Sequence, residues 1–511
     1  MFCVVSLRYL KKVNTYWSSR GVNGPKPVIG FGNNLELMNV GRGRGNKDSE
    51  WMTKFGKLYG YYDNTQPVLC IADPLLIKEV VIKNWRLFLN RRQPTSLSCL
   101  NHEILSLNIE ELRDVQWKRL RTVMSPWFTN AYFGTLVDSE RQCLRTLFTA
   151  IDSHIGDGDK AVNMIDVYEK YIINVIAGQV YGISLDSFTE PEHPFVQNIN
   201  KTIDPIDYRV LAQKLLPNWL LKLLNIRTPF DESAHQYFLQ LAKHMLRKRL
   251  ISGDKTRDFV GQFAQILSAN DNTADDRRRI TDEQWLRTGM QKFAYEDEIL
   301  ANVWNLTMGG FETRLIAVSF ATYELAMNEE LQQRVYDEII KTVVTDTSSS
   351  TGNSGNNNNN IDLKVLSGLP VLNALVCETL RLHFLVPSDA KVAAEDFRLA
   401  DTGLVIEQGV KVEIPFYAIH KCPEFYDQPW TFNADRFLPE NRPNLVANTF
   451  MPFGIGPRHC IAERFASLEV KYVLAEMLIR YRVQRCPQTV VGHSSKIFDS
   501  RNMFLKFVKR Y

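Results

Sequence analysis

Long apolar runs, paired cysteines and an excess of one charge are all missing from this sequence. No run of about 18 apolar residues occurs, which excludes a protein that crosses a membrane several times. The 61 basic and 57 acidic residues nearly balance, so the net charge of +4 gives no argument for nucleic-acid binding. The eight cysteines are scattered without any CxxC spacing. Their arrangement argues against a disulfide scaffold and a structural zinc site, and it favours a reducing environment.

Proline is absent between Pro229 and Pro370, which indicates a region built from long helices. Within it, apolar residues recur at helical spacing over residues 299–340 and predict one or two helices. Residues 345–360 are rich in Ser and Asn and predict a low-complexity surface loop. Residues 411–415 are typical of a short strand. Because 45% of the 511 residues are hydrophobic, we expect a globular fold that is mainly α with a minor β part.

Acidic residues are absent before Glu36, and the first ten residues are mostly apolar but are interrupted by Arg8. A segment of that length is too short to span a bilayer. It could be a shortened membrane anchor, a mitochondrial presequence or a poorly ordered tail. Residues 21–27 contain the Gly and Pro typical of a hinge. We predict a short membrane-associating segment and linker over residues 1–30, followed by a single domain over residues 31–511.

A glycine-rich loop leads into Cys460 and a predicted helix, with the sequence Phe-Gly-Ile-Gly-Pro-Arg-His-Cys beginning at Phe453. Gly454 and Gly456 would allow the backbone to approach a flat ligand closely. Backbone amides at the start of a helix favour an anionic sulfur, and Arg458 could pair with a carboxylate of the ligand. The alternative is a buried, inert cysteine after an ordinary turn.

Two pairs of residues share a helix face. Glu378 and Arg381 are three residues apart, a spacing that most often gives a solvated surface ion pair, but their apolar neighbours favour burial. Trp117 and Arg121 are four residues apart, which is a weak signal by itself.

Two adjacent glycines, Gly309 and Gly310, stand in the middle of the long helical segment. Each costs roughly 1 kcal/mol relative to alanine inside a helix, so we expect another group to approach the backbone closely there. Glu312 and Thr313 follow directly. Thr313 could simply donate back to a carbonyl one turn earlier, and Glu312 could lie on a solvated face.

The Cys460 loop closely resembles the haem-binding loop of the cytochrome P-450 superfamily, because Phe453, Gly456, Arg458 and Cys460 match its fixed residues. Ala462 stands where the family usually has Gly, and alanine is small enough to keep close packing on haem. The resemblance implies haem b with the Cys460 thiolate as axial ligand, in a single haem domain with a long helix over the haem. It extends over nearly the whole chain and is closest to microsomal animal members that oxidise drugs and toxins.

The same resemblance implies a buried Glu–Arg–Arg cluster. Glu378 and Arg381 match the family's Glu-x-x-Arg motif, and Arg436 matches its second arginine. Ala434 and Asp435 replace the Pro and Glu that usually precede that arginine. The implied role is to stabilise the part of the fold next to the haem and not to take part in catalysis, since breaking the cluster would leave an unpaired buried charge.

In the central helix, the resemblance assigns catalysis to Thr313, which would stabilise bound peroxide, and to Glu312, which would help to deliver protons. Gly309 and Gly310 would leave room for dioxygen and for a distorted helix turn.

The resemblance also implies which residues bind the haem propionates. Trp117, Arg121 and Arg458 would hold them together. Lys391, at a position where the family more often has Arg, would add charge without a bidentate fork.

The function implied by the resemblance is a monooxygenase that inserts one atom of O2 into an apolar organic substrate. Electrons would come from NADPH through a cytochrome reductase, with cytochrome b5 as a further candidate donor. The implied location is the cytosolic face of the endoplasmic reticulum membrane, with the mitochondrion as the lesser alternative. Two other functions stay open: a haem-thiolate isomerase or dehydratase acting on lipid hydroperoxides, and a non-catalytic haem-binding protein.

Two segments are candidates for contact with a membrane or a partner. Residues 214–227 are apolar with interspersed basic residues, and they could either dip into the membrane interface or form a helix packed in the core. Lys118 and Arg119 could belong to a basic face for an acidic reductase or to an ordinary solvated helix face. No charge pattern selects a substrate among fatty acids, steroids and foreign compounds.

Overall fold

The computed structural model describes residues 13–37, 43–91, 102–156, 160–203, 207–216, 218–253, 256–270, 293–347, 361–383, 386–490 and 502–510. Within these ranges helices dominate, as the sequence predicts, and the strands form three small sheets. The helices are α1 (Asn34–Leu37), α2 (Gly43–Phe55), α3 (Pro74–Lys78), α4 (Asp114–Met124), α5 (Asn130–Ile155), α6 (Met164–Tyr181), α7 (Pro194–Ile203), α8 (Asp207–Leu215), α9 (Asn218–Leu223), α10 (Glu232–Ser252), α11 (Phe259–Asn270), α12 (Glu296–Met327), α13 (Glu329–Thr347), α14 (Leu363–Ser367), α15 (Pro370–Leu382), α16 (Phe416–His420) and α17 (Glu463–Arg480).

The largest sheet has four strands in the order β1-β2-β7-β4. Its β1–β2 and β4–β7 pairs are antiparallel, whereas β2 and β7 run parallel. A second sheet has the order β3-β9-β8, and β5 and β6 form a hairpin. The strands are β1 (Leu58–Asp63), β2 (Gln66–Ile71), β3 (Ala161–Asn163), β4 (Asp389–Val392), β5 (Phe397–Leu399), β6 (Leu404–Ile406), β7 (Lys411–Ile414), β8 (Tyr481–Gln484) and β9 (Phe504–Lys509).

Apolar side chains form two cores. The larger core lies among the helices and includes side chains from α4, α5, α6, α12, α15 and α17. The smaller core joins β1, β2 and β7 to α2 and α16. None of the helices in the described ranges combines the length and the apolar character that a membrane crossing requires.

Helix α12 passes through the middle of the larger core, and its buried residues lie on all sides of the helix. Its first turn is fixed by Glu298, whose carboxylate accepts from the backbone N–H of Tyr295 at 3.0 Å. The helix ends at Met327, and Asn328 separates it from α13. Residues 299–340 therefore form two helices, which is one of the two predicted outcomes.

The structure also bears on the predicted strand at residues 411–415 and the predicted loop at residues 345–360. The strand predicted at 411–415 is β7, which ends at Ile414 because Pro415 has no backbone N–H to continue the ladder. The first three residues of the loop predicted over 345–360 belong to α13, and residues 348–360 lie outside the described residues.

The linker predicted within residues 1–30 is not separated from the body of the protein. Trp17 is buried in the smaller core, and its indole N–H donates to the backbone carbonyl of Tyr61 at 3.0 Å. A Cβ at Gly60 would come within 2.3 Å of the Trp17 ring, so this glycine makes room for the indole. Residues 1–12, which carry the predicted membrane-associating segment, lie outside the described residues.

Candidate haem-thiolate site

The loop before α17 is a tight turn built on two glycines. Gly454 and Gly456 have φ angles of +77° and +79°, which other residues rarely adopt. The backbone N–H of Cys460 donates to the carbonyl of Phe453 at 2.7 Å and closes the loop. A Cβ at Gly456 would lie 2.5 Å from the carbonyl oxygen of Val81. The glycines therefore serve the shape of the loop and its contact with the preceding chain.

Cys460 lies three residues before the first residue of α17. Burial raises the pKa of its thiol, while the backbone N–H of Ala462 and the guanidinium of Arg121 act in the opposite direction. The cysteine is unpaired with any other cysteine in the described residues. A bound cation would deprotonate such a thiol outright, so the loop has the donor that a metal thiolate needs.

On helix α12, Gly309 and Thr313 are exposed although most of the helix is buried. A Cβ at Gly309 would meet no atom within 4 Å, so open space adjoins the helix there, whereas the sequence predicted close approach of another group. The Thr313 hydroxyl donates to the Gly309 carbonyl at 2.6 Å, which is the local bond considered as the alternative for this residue. The helix is continuous through Gly310, so the expected distorted turn is not present.

Arg458 is buried, and its guanidinium is held by backbone carbonyls. It donates to the carbonyls of Ile109 at 3.1 Å and of Leu112 at 2.6 Å, and a third bond goes to the Leu89 carbonyl at 3.1 Å. Its guanidinium carbon lies 4.6 Å from the centre of the Trp117 ring. Burial and the nearby guanidinium of Arg91 lower the pKa of Arg458 to about 9.

Three more basic side chains lie near Arg458. Arg121 donates to the carbonyl of His459 at 2.8 Å. Lys391 is buried 2.7 Å from an oxygen of Asp389, and burial lowers its pKa to about 8. The third, which the sequence analysis missed, is Arg91. We call Arg91, Arg121, Lys391 and Arg458 the basic cluster.

Arg91 donates to the Arg458 carbonyl at 3.1 Å, and its backbone bridges to Lys391. Its buried Nε forms no hydrogen bond within the described part of the chain, and the nearest carboxylate oxygen, from Asp389, is 3.6 Å away. Only the pair of adjacent arginines at 91 and 92 could have indicated this site from the sequence.

Glu378, Arg381 and Arg436 come together as the sequence analysis expected. Arg381 donates to both carboxylate oxygens of Glu378 at 2.7 Å, and neither side chain is exposed. It also donates to the carbonyls of His420 at 2.7 Å and Pro429 at 2.8 Å. Arg436 is more loosely placed, with its Nε 3.4 Å from Glu378. The cluster ties α15 to the segment that precedes the Cys460 loop.

Comparison with known proteins agrees with this geometry. A family model described as cytochrome P450 matches residues 22–504. The chain belongs to the cytochrome P450 family. It is therefore a haem-thiolate monooxygenase that acts on apolar substrates, with haem b, O2 and NADPH-derived electrons.

Similar P450s come from several vertebrates. The chain is 30% identical to cytochrome P450 3A18 of Rattus norvegicus over 477 residues, which cover 92% of this chain and 88% of the relative. It is 30% identical to lithocholate 6-beta-hydroxylase of Mesocricetus auratus over 475 residues, covering 92% and 86%. With cytochrome P450 3A56 of Fundulus heteroclitus the identity is 28% over 521 residues, covering 99% and 97%. These relatives agree with the predicted drug-oxidising type.

The residues of this P450 fit a haem. The open space at Gly309 would accommodate an added group, and Cys460 would offer a single sulfur ligand at a loop that glycines keep compact. The buried, unsatisfied Nε of Arg91 within the basic cluster suits an added carboxylate.

The prediction that Arg119 lies on a basic surface of the P450 is wrong. Arg119 is buried and donates to Glu298 at 2.9 Å and to the carbonyl of Phe293 at 3.0 Å, so it ties α4 to the start of α12. Lys118 is exposed on the same helix. A pattern of adjacent basic residues does not reveal which one turns inward.

The segment 214–227 is not one helix packed in the core. It contains the end of α8 and the short helix α9. Trp219 is 67% exposed and Leu223 is 74% exposed, while Leu221 is buried and anchors the segment. The segment therefore presents an apolar face to its surroundings.

Proposed function

We propose that this P450 receives its electrons one at a time from an NADPH–cytochrome reductase and delivers protons to dioxygen through Thr313 and Glu312. The observation that carries the proposal is the exposed pair Gly309 and Thr313 beside open space, in a stretch of α12 whose other residues from Glu298 onward are buried or partly buried. When bound, the haem supplies the oxygen chemistry, in which one oxygen atom enters the substrate and the other leaves as water. The protein supplies orientation, exclusion of water and protons.

Thr313 would act through its hydroxyl. In the ligand-free chain this hydroxyl donates to the Gly309 carbonyl, and rotation about χ1 would free it to donate into the open space. Glu312, which is partly buried, would pass protons from solvent to this hydroxyl. An intact acid–alcohol pair favours a monooxygenase over an isomerase that needs no proton delivery to oxygen.

The test is Thr313→Ala in the reconstituted holoenzyme. We expect product per NADPH to fall by about tenfold and hydrogen peroxide release to rise, since general acid catalysis is worth at least that much. The matched control is Thr322→Ala on the same helix, because Thr322 makes the same type of bond to a carbonyl, at 2.8 Å, but is fully buried. Equal coupling in Thr313→Ala and the wild type would refute the role of Thr313.

For the haem, we propose that the basic cluster binds the two propionates and that Trp117 packs beside them. The four cations would outnumber the two carboxylates, while Asp389 neutralises part of the charge of Lys391. Charge-assisted hydrogen bonds of this kind are roughly twice as strong as neutral ones. Phe453, Gly454, Gly456 and Ala462 would shape the protein surface around the Cys460 sulfur. Glu378, Arg381 and Arg436 would hold the scaffold behind that surface.

We further propose that the reductase docks on the side of Lys118. This residue is exposed on α4, whose Arg121 contacts the Cys460 loop, so the electron would enter close to the haem. Lys118→Glu should raise the reductase concentration needed for half-maximal turnover, most strongly at low salt. Lys248→Glu, at another exposed lysine, is the control. An equal effect of both changes would refute the docking side.

The proposed location is the cytosolic face of the endoplasmic reticulum membrane, with the mitochondrion as the alternative. The apolar face of 214–227 supports contact with a lipid interface. The double change Trp219→Ser and Leu223→Ser should weaken binding to phosphatidylcholine vesicles. Unchanged sedimentation with vesicles would argue against this contact.

A further inference from the structure

Arg314 directly follows Thr313 but projects from a different face of α12, because neighbouring helical residues are about 100° apart. Whereas Thr313 is exposed, the Arg314 side chain is only 14% exposed. Its Nε lies 3.0 Å from a carboxylate oxygen of Glu469, whose side chain is 4% exposed. Its guanidinium also lies 6.0 Å from the Phe465 ring. Both partners belong to α17, the helix that begins after Cys460.

The ion pair is surrounded by further buried polar groups. Gln179 of α6 accepts from Arg314 at 3.4 Å and donates to Glu469 at 3.5 Å. The same amide donates to Glu140 of α5 at 2.6 Å, and Tyr171 donates to the other oxygen of Glu140. We call these five residues the Arg314 network. The network joins α5, α6 and α17 to α12, the helix that carries Thr313.

The charges of the Arg314 network balance only if one carboxyl holds a proton. Burial and the nearby Glu469 raise the pKa of Glu140 to about 8, so this group is protonated at neutral pH. The groups that face Glu140 are Tyr171 and Gln179 on α6, Glu469 on α17 and Arg314 on α12, with Cys143 on its own helix. Arg314 and Glu469 then form the ion pair of the network, and the neutral Glu140 takes part through its hydrogen bonds with Tyr171 and Gln179.

We infer that Arg314 is a positioning residue for oxygen activation: its pair with Glu469 fixes the rotation and distance of α12, which carries Thr313, relative to α17, which follows the Cys460 loop. Helix α12 carries Thr313, and α17 begins three residues after Cys460, so a largely buried ion pair at 3.0 Å between these helices limits how far one can slide along the other. The inference rests on the proposed role of Thr313 in proton delivery. Misplacement by about 1 Å is enough to lower a rate by a large factor.

The first test is Arg314→Met in the holoenzyme reconstituted with reductase, which removes the charge and keeps an unbranched side chain. We expect product per NADPH to fall about threefold or more, with substrate-induced spectral titration giving a dissociation constant within about twofold of the wild type. Arg314→Lys should recover much of the coupling. A purely structural role would change stability and haem content without this selective loss.

Two further variants keep the inference falsifiable if Arg314→Met does not fold. Glu469→Gln keeps the shape of its side chain but removes the ion pair, and it should lower coupling in the same way. Glu140→Gln mimics the protonated carboxyl and should leave coupling at neutral pH unchanged. Above about pH 8, coupling in the wild type should fall as Glu140 ionises, whereas Glu140→Gln should stay flat. Wild-type coupling in Glu469→Gln would overturn the inference.

The double variant Thr313→Ala and Arg314→Met separates this inference from the proposed function. If both residues act on one step, the double variant should be no worse than Thr313→Ala alone. If Thr313→Ala alone leaves coupling intact, the proposed role of Thr313 fails. If Thr313→Ala uncouples but Arg314→Met does not, only the positioning role of Arg314 fails.

Discussion

Replacing Arg381 by methionine should destabilise the haem-side scaffold far more than the same replacement at a surface arginine. Arg381 makes two bonds to Glu378 and two to backbone carbonyls, all between 2.7 and 2.8 Å. Methionine matches the unbranched stem of arginine up to Nε but has no donor. Arg381→Met would therefore leave a buried carboxylate and two buried carbonyls without these partners.

The expected loss of stability in Arg381→Met follows from the burial of the ion pair. Removing one partner of a buried ion pair costs about 3–5 kcal/mol, because the other charge stays buried and unpaired. Part of this cost is offset at Glu378, which keeps a bond from the backbone N–H of Asn433 at 2.9 Å and the looser contact with Arg436. We therefore expect a loss of about 3 kcal/mol in the free energy of unfolding.

The matched control is Arg334→Met. Arg334 also pairs with a carboxylate, Asp435 at 2.8 Å, but the two side chains are 38% and 48% exposed. Exposed pairs contribute about 0–1 kcal/mol, so this change should cost little. Both variants can be followed by urea denaturation, monitored through the Soret absorbance of the bound haem.

The expected result is a much lower urea midpoint and reduced haem content for Arg381→Met, with Arg334→Met close to the wild type. Equal midpoints for the two variants would refute the argument that burial decides the contribution of these pairs. A wild-type midpoint and full haem content in Arg381→Met would also remove the structural role assigned to the cluster.

Three other outcomes are expected. Gly456→Ala should lower the free energy of unfolding, measured by urea denaturation, by about 1–3 kcal/mol, since its Cβ would meet the Val81 carbonyl at 2.5 Å and its φ is +79°. Gly309→Ala, whose Cβ would enter open space, should not destabilise the protein but should weaken carbon monoxide binding. Because the pKa of Glu140 is raised to about 8 in the folded protein, its contribution to stability is lost as the pH rises from about 4.5 to 8. The melting temperature of Glu140→Gln should therefore exceed that of the wild type increasingly over this range, and a constant difference would contradict this sign. Arg91→Met should accelerate haem transfer to apomyoglobin by about tenfold, in keeping with the loss of one charge-assisted bond, and an unchanged rate would exclude Arg91 from haem binding.

The parts of the site that could be predicted from sequence are those with local patterns. The loop at Cys460 has its glycines at fixed spacing, and the same spacing gives the turn seen in the structure. Glu378 and Arg381 share a helix face, so their pairing follows from helical geometry, and apolar neighbours indicated burial. These arguments need only the few residues around each motif.

Contacts between distant segments were not predictable in this way. Arg91 reaches Lys391 through a bridge between segments 300 residues apart, and nothing near either residue marks that contact. Arg119 and its neighbour Lys118 are both basic, so the local sequence does not distinguish them. The Arg119 side chain is buried because it pairs with Glu298, which belongs to a helix far along the chain. The predicted linker includes Trp17 because glycines and prolines follow it, yet its large apolar ring packs into the smaller core.

The measurement that tests the account most directly is the carbon monoxide difference spectrum of the reduced protein and of Cys460→Ala. The account predicts a strongly red-shifted, thiolate-type Soret band in the wild type and its loss in the variant. A histidine-type band in the wild type, or a thiolate-type band that persists in Cys460→Ala, would contradict the assignment of Cys460 as the haem ligand.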